Sequence, residues 1–136
     1  MIDTDAAFRA VLAAATGVTN LVSTRIRDGY LPEGAAADTR EARPCISFTV
    51  DPGSPGADAY TPTTDVDYIV RCWADSSVAA RAVYIAVKNA LDAVNNTTAA
   101  SVLVYEAYEV KPGRNDETEY GDKFCEAVFR VGMRTA

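Results

Sequence analysis

The side chains best suited to chemistry are two groups of carboxylates, Asp65 with Asp67 and Asp116 with Glu117 and Glu119. General acid–base catalysis needs carboxylates held in a cleft, where their surroundings separate their pKa values. The group at 116–119 lies in a highly charged stretch, which is typical of a solvated surface. Asp65 and Asp67 are two residues apart at the start of a predicted strand and so share a face. A weak divalent-cation site is one interpretation of this pair, and a sheet rim facing water is the favoured one.

Other groups with catalytic or ligating capacity are few. The chain has no histidine, which excludes Ser-His-Asp and Cys-His catalysis and removes the commonest transition-metal ligand. Cys45, Cys72 and Cys125 are far apart, and each falls in a predicted strand, so they fit neither a disulfide framework nor a zinc knuckle. We expect buried free thiols in a reducing compartment.

The glycine-rich segment 53–56 does not match a phosphate-binding loop, because it leads into no helix and carries no lysine. Trp73, at the end of a predicted strand, is interpreted as a core or interface aromatic rather than a ligand platform. We therefore expect no enzyme, no cofactor and no metal site.

Composition is ordinary for one globular domain spanning residues 1–136, with 49% hydrophobic and 24% charged residues. The net charge of −6 argues against a basic nucleic-acid-binding face. No apolar run approaches the roughly 20 residues of a membrane span. The acidic N-terminus lacks the basic region of a signal peptide, so we expect a cytosolic protein.

The chain is organised around a strand–turn–helix unit from Asp65 to Val94. Apolar residues on both faces of the strand at 65–74 predict a central strand that is covered at least partly on both sides. Asp75 or Ser76 is placed to cap the helix that follows. Three- and four-residue spacing predicts a buried stripe along this helix, at Ala79, Val83, Ala86, Val87, Ala90, Leu91 and Val94.

The remaining elements follow from alternation and from the turn-forming residues. A first helix, capped by Thr4 or Asp5, is predicted to end near Ala15, and one helical turn and an extended segment at 25–31 come next. Strands are predicted at 45–51, 101–111 and 123–134, loops at 32–43 and 52–64, and a charged turn beginning at Pro112. The strands on either side of 52–64 are expected to pair, as are the last two.

The element order is therefore α-β-β-β-α-β-β. It predicts an α+β fold, with two helices packed on a mostly antiparallel sheet.

Several segments in this order carry a resemblance. They are the segment LVSTRI at 21–26, the strand PCISF at 44–48, the strand VDYIVRCWA at 66–74 with its alanine-rich helix, and the last, aromatic-bearing strand. Together they resemble the tail-completion or tail-terminator proteins of long-tailed bacteriophages over nearly the full length. No single motif is specific, and the order and spacing carry the likeness.

The resemblance implies a structural virion protein that forms a ring, usually a hexamer, at the head-proximal end of the tail tube. Such a ring ends tube polymerisation and offers a joining surface to the head-neck connector, without turnover. Its implied partners are further copies of itself, the tail tube protein and the connector. DNA would pass through the lumen without specific binding, which suits the negative net charge. Assembly would take place in the bacterial host cytoplasm.

Two alternatives stay open. The first is another neck or head-completion protein of the same virion. The second is a small α+β ligand-binding domain or enzyme, which would need a pocket with convergent polar groups. A deep apolar cavity under Trp73 would favour the second.

Candidate interface residues come from the two long loops and the charged turn. A ring contact closes by rotation, so two unlike surfaces must meet. We expect an arginine-bearing loop of one subunit to meet the acidic turn 116–122 of the next. The candidates are Arg40, Arg43, Asp51, Pro55, Asp58, Tyr60, Arg114, Asp116 and Glu117.

Overall fold

A computed structural model of the chain describes residues 3–29, 42–52, 63–119 and 121–135. The described residues form three helices and six strands. In chain order these are α1 (Thr4–Ala14), α2 (Thr16–Val22), β1 (Ile26–Asp28), β2 (Cys45–Val50), β3 (Thr63–Ala74), α3 (Ser77–Asp92), β4 (Thr97–Ala99), β5 (Val102–Glu117) and β6 (Lys123–Thr135).

The strands form one sheet with the order β1-β2-β3-β6-β5-β4. Only the short β1–β2 pair is parallel, and the pairs β2–β3, β3–β6, β5–β6 and β4–β5 are antiparallel. The predicted α+β class, the mostly antiparallel sheet and both predicted strand pairings are confirmed.

The main core lies between the helices and one face of the sheet. Tyr68 on β3 stacks on Phe8 of α1 with ring centroids 4.2 Å apart, and its hydroxyl donates to Asp5 at 2.8 Å. Phe48 of β2 packs edge-on against both rings. Burial and the Asp5 hydrogen bond both raise the pKa of Tyr68. The hydroxyl therefore remains protonated and fastens α1 to the centre of the sheet.

The helices differ from the sequence expectation in number and in orientation. Three are present instead of two, because the expected helical turn after α1 is the seven-residue helix α2. Asp3, and not Thr4 or Asp5, caps α1 by accepting from the amide of Ala6 at 3.0 Å. The buried stripe of α3 is Ala80, Val83, Tyr84, Val87 and Leu91, which is rotated from the expected one towards Tyr84.

The charged turn expected from Pro112 is wrong, because β5 continues to Glu117. Pro112 lies in an irregular stretch between the Lys111–Val128 and Arg114–Glu126 pairs, where it is not required to donate to a neighbouring strand. The candidate residues Arg114, Asp116 and Glu117 consequently lie on a strand. The tight turn at 118–122 comes after them, with Gly121 at φ +86°.

Strand β4 was also missed. It pairs with Val102–Val104 through a two-residue hairpin turn at Ala100 and Ser101, whose φ values are +49° and +64°. Such turns favour asparagine and glycine, so Ala-Ser gives no sequence signal for one.

Candidate functional site

Two ion pairs cross the β3–β6 ladder on the sheet face opposite the main core. Arg130 donates to both carboxylate oxygens of Asp67, at 2.7 and 3.0 Å. Four residues further along β3 on the same face, Arg71 donates to Glu126 at 3.0 Å. Asp67 is 6% exposed, so its charge depends on Arg130 for stabilisation. The hydrogen bonds to Asp67 and Tyr108 raise the pKa of Arg130.

The carboxylates that sequence analysis considered for a cation site are used within the chain. Asp67 is occupied by Arg130, and Asp65 accepts from the hydroxyl of Tyr105 at 3.0 Å. Burial and this bond to Asp65 raise the pKa of Tyr105. Within the described segments, no group of three or more Cys, Asp or Glu side chains is placed to hold a metal ion.

Trp73 is a core aromatic, as expected, with 1% of its surface exposed. Its ring packs on Phe124 at a centroid distance of 4.9 Å, beside Cys45, and its indole N–H donates to Ser47 at 3.0 Å. This small cluster lies apart from the main core. The indole is therefore committed to packing and cannot serve as a ligand platform.

Arg43 closes the Trp73 cluster from one side. Its guanidinium carbon lies 5.2 Å from the centre of the Trp73 ring, and it donates to the Cys45 sulfur at 3.3 Å. It also lies 3.8 Å from the carboxylate of Asp122, and both side chains are less than 10% exposed. An arginine preceding β2 thus meets the turn at 118–122 within the same chain.

The other described interface candidates lie at strand ends. Arg114 and Asp116 approach each other to 3.6 Å on β5, with side chains 75% and 52% exposed. Glu117 follows them and is exposed. The backbone N–H of Asp51, just after β2, donates to the backbone carbonyl of Asp67 at 2.8 Å. Arg40, Pro55, Asp58 and Tyr60 lie outside the described residues.

The three thiols are buried and free, as expected from their positions in strands. Burial raises the pKa of Cys72 and of Cys125, although nearby Arg81 opposes the shift at Cys125. Cys72 and Cys125 are direct partners in the β3–β6 register. A protonated, enclosed thiol is a poor nucleophile, so these groups act as packing residues.

The exposed apolar side chains form a surface that was not predicted from the sequence. Among the described residues the large ones are Val78 and Ile85 on α3, Leu21 on α2, and Tyr108 and Val110 on β5. Val78 and Ile85 lie off the stripe that the three- and four-residue spacing indicated. Surface grooves of about 540 and 390 Å³ run beside them and share Ala82 and Ile85.

These features are suited to contact rather than to reaction. In the part of the chain that the structure describes, Asp65, Asp67 and Glu126 pair with a tyrosine or an arginine, thiols are enclosed, and large apolar side chains reach the surface. None of the described helices is long and apolar enough to cross a bilayer.

Comparison with known proteins identifies a sequence family and solved structures of similar fold. Residues 6–119 match the sequence profile of a family described as tail completion protein gp17. A chain in the structure titled "Virion of native gene transfer agent (GTA) particle" has a similar fold, with a TM-score of 0.64 and 19% sequence identity over 96% of each chain. No curated protein matches the sequence.

Proposed function

Because the chain belongs to the tail completion protein gp17 family, we propose that it forms a closed ring at the head-proximal end of the tail tube. It is a structural component of a phage tail and therefore of the virion. In the proposed role, one face of the ring matches the last ring of tube subunits and the opposite face differs. Tube growth stops at the mismatch, and the outer face joins the head-neck connector.

The observation that carries this proposal is the family match over residues 6–119, which includes nearly all of the three helices and five of the six strands of the described residues, β6 being the exception. The fold shared with a chain of a gene transfer agent particle is compatible with it. Arg43 and Trp73 are engaged in packing within the chain, which disfavours the ligand-binding alternative. Residues 1–136 would act as one tail-terminator-like domain, assembled in the host cytoplasm, without metal or cofactor.

The proposed subunit contacts include the exposed end of β5. Arg114, Asp116 and Glu117 are accessible there, whereas Asp51, just after β2, lies beside Asp67 towards the opposite end of the sheet and would belong to a separate contact. Arg43 is less suited to direct contact, because it already pairs with Asp122. Its proposed part is to hold the turn at 118–122 in place. Arg40, Pro55, Asp58 and Tyr60 remain candidates on sequence grounds.

The direct test is tail-tube length in particles assembled with and without the protein, measured by negative-stain microscopy. We expect tubes that lack it to overgrow and to remain unjoined to heads, and added protein to restore a single length. Unchanged tube length together with unjoined heads would instead assign the chain to another neck component. Arg114→Glu should weaken assembly, whereas Arg134→Glu, which changes an exposed arginine on β6, serves as the matched control.

A further inference from the structure

Helix α3 carries a second apolar stripe in addition to its buried one. Val78, Ala82 and Ile85 recur at four- and three-residue spacing and continue to the uncharged Asn89. Val78 is 82% exposed and Ile85 is 48% exposed, so this helix presents two β-branched aliphatic side chains to solvent in addition to the face that it buries. This stripe satisfies no packing need within the described residues.

Small residues border the stripe and leave room beside it. The groove of about 540 Å³ separates Ala82, Ile85 and Ala86 from the junction of α1 and α2, where Ala14, Ala15 and Gly17 form the opposite wall. The groove of about 390 Å³ continues past Val78 to Arg81 and Asn115. We call Val78, Ala82, Ile85 and the walls of these two grooves the α3 surface. Its shape suits large side chains entering from outside.

Strand β5 presents large side chains of that kind. Tyr108 and Val110 are 44% and 41% exposed, and we call them the β5 patch. Beyond Val104, no described strand pairs with the outer edge of β5, so the patch lies on an uncovered part of the sheet. With Leu21, which belongs to α2, the α3 surface and the β5 patch contain all the exposed large apolar side chains of the described residues.

One pair of opposite charges borders the two surfaces. The exposed Arg81, which also donates to the Gly113 carbonyl at 3.1 Å, borders the α3 surface, and the exposed Glu106 precedes the β5 patch, which Lys111 follows. Opposite charges at the rim of a contact favour one orientation and speed association. A closed ring needs two unlike surfaces on every subunit, one to receive and one to be received.

We propose that the α3 surface of one copy receives the β5 patch of the next copy, and that this contact joins neighbouring subunits of the ring. The inference rests on the proposed ring function and identifies the partner as a second copy of this chain. Tyr108 would insert beside Ile85, where the alanines leave space, and Glu106 would approach Arg81.

The test uses two full-length variants with one surface disabled in each. Ile85→Glu places a charge in the α3 surface and leaves the β5 patch intact, and Tyr108→Glu does the reverse. Both residues are exposed, so both variants should keep the wild-type Tm and circular dichroism. Asn95→Glu adds the same charge at an exposed position after α3 that borders neither groove, and serves as the control.

Light scattering and native mass spectrometry then measure the mass of each variant by itself and of the two variants mixed. Each sample is measured with and without terminator-free tail tubes of the same virion. We expect wild type and Asn95→Glu to form rings and each surface variant alone to remain a 14.5 kDa monomer. An equimolar mixture should stop at a heterodimer of twice that mass, because one intact surface of each kind remains.

Rings formed equally well by both surface variants would overturn this inference and leave the proposed function standing. Variants that form rings but no longer cap tubes would assign the α3 surface to the tube protein, which also overturns it. Wild-type protein that forms no ring, either alone or on tubes, would overturn the proposed function and this inference together.

Discussion

Arg130 binds Asp67 through two parallel hydrogen bonds, and the carboxylate is nearly enclosed while the guanidinium keeps partial contact with solvent. Removing one partner of such a pair leaves the other charge without compensation. Asp67→Asn should therefore lower the Tm by several degrees in thermal denaturation followed by circular dichroism. Asp92→Asn, which breaks the exposed Lys88–Asp92 pair on α3, should change it little. Equal changes in Tm for the two variants would mean that burial does not increase the contribution of the Asp67–Arg130 pair to stability.

Position 132 requires glycine because the ring of Tyr105 lies directly over it. A Cβ atom at this position would lie 2.5 Å from the Cζ of Tyr105, whose hydroxyl is held by Asp65. Gly132→Ala should destabilise the fold by about 1–3 kcal/mol, the usual cost of overpacking, as measured by urea unfolding. Gly17→Ala is the control, because nothing lies within 4 Å of its added methyl group. If the contact is the cause, Tyr105→Ala should remove most of the penalty in the double variant.

The β4–β5 hairpin turn is built from residues that disfavour its backbone conformation. Ala100 and Ser101 both have positive φ, a region that costs an L-residue roughly 1–2 kcal/mol. The double variant Ala100→Asn with Ser101→Gly should raise the free energy of unfolding by about 1 kcal/mol, because these residues suit the turn. Ala100→Val should lower it, since branching at Cβ worsens the clash. If the double variant and Ala100→Val both raise the free energy of unfolding, then side-chain burial and not backbone strain determines stability at this turn.

Asp28 should make stability depend on pH. Burial, and then repulsion from Asp5 and Asp3, raise the pKa of Asp28 above its usual value. The folded state thus binds this proton more tightly than the unfolded state does, so the contribution is favourable at low pH and is lost as pH rises through the raised pKa. Asp28→Asn should raise the Tm at pH 7 and change it little near pH 3. A stabilisation that is the same at both pH values would rule out this cause.

Sequence alone predicted the parts of the fold that follow from local pattern. The strand at 65–74 and the helix after it were found because apolar residues and a Ser76 cap mark them clearly. The predicted buried stripe of α3 differs from the observed one because it did not include Tyr84. The ring of Tyr84 packs over Gly113, which has no Cβ atom to block it. Strand β5 was cut short because proline and glycine are normally read as a turn, whereas here a bulge at the sheet edge accommodates them.

The candidate site was less predictable because it depends on tertiary contacts. The sequence shows that Arg43 is basic and that the 116–122 segment is acidic, but not that Arg43 and Asp122 meet inside one chain. The three- and four-residue spacing already left Val78 and Ile85 off the predicted buried stripe of α3. It did not show that both side chains would stay exposed, because that depends on which other segments pack beside the helix.

The two ion pairs of the β3–β6 ladder have opposite polarity, with Asp67 facing Arg130 and Arg71 facing Glu126. If the strands slipped by four residues in one direction, Asp67 would face Glu126, and a slip in the other direction would bring Arg71 opposite Arg130. Each slip keeps the apolar residues on their proper face, so hydrophobicity alone would not reject it. Both native ion pairs are lost in either slip and a like-charge pair replaces one of them, so the four side chains favour the observed alignment of β3 and β6 over these two alternatives.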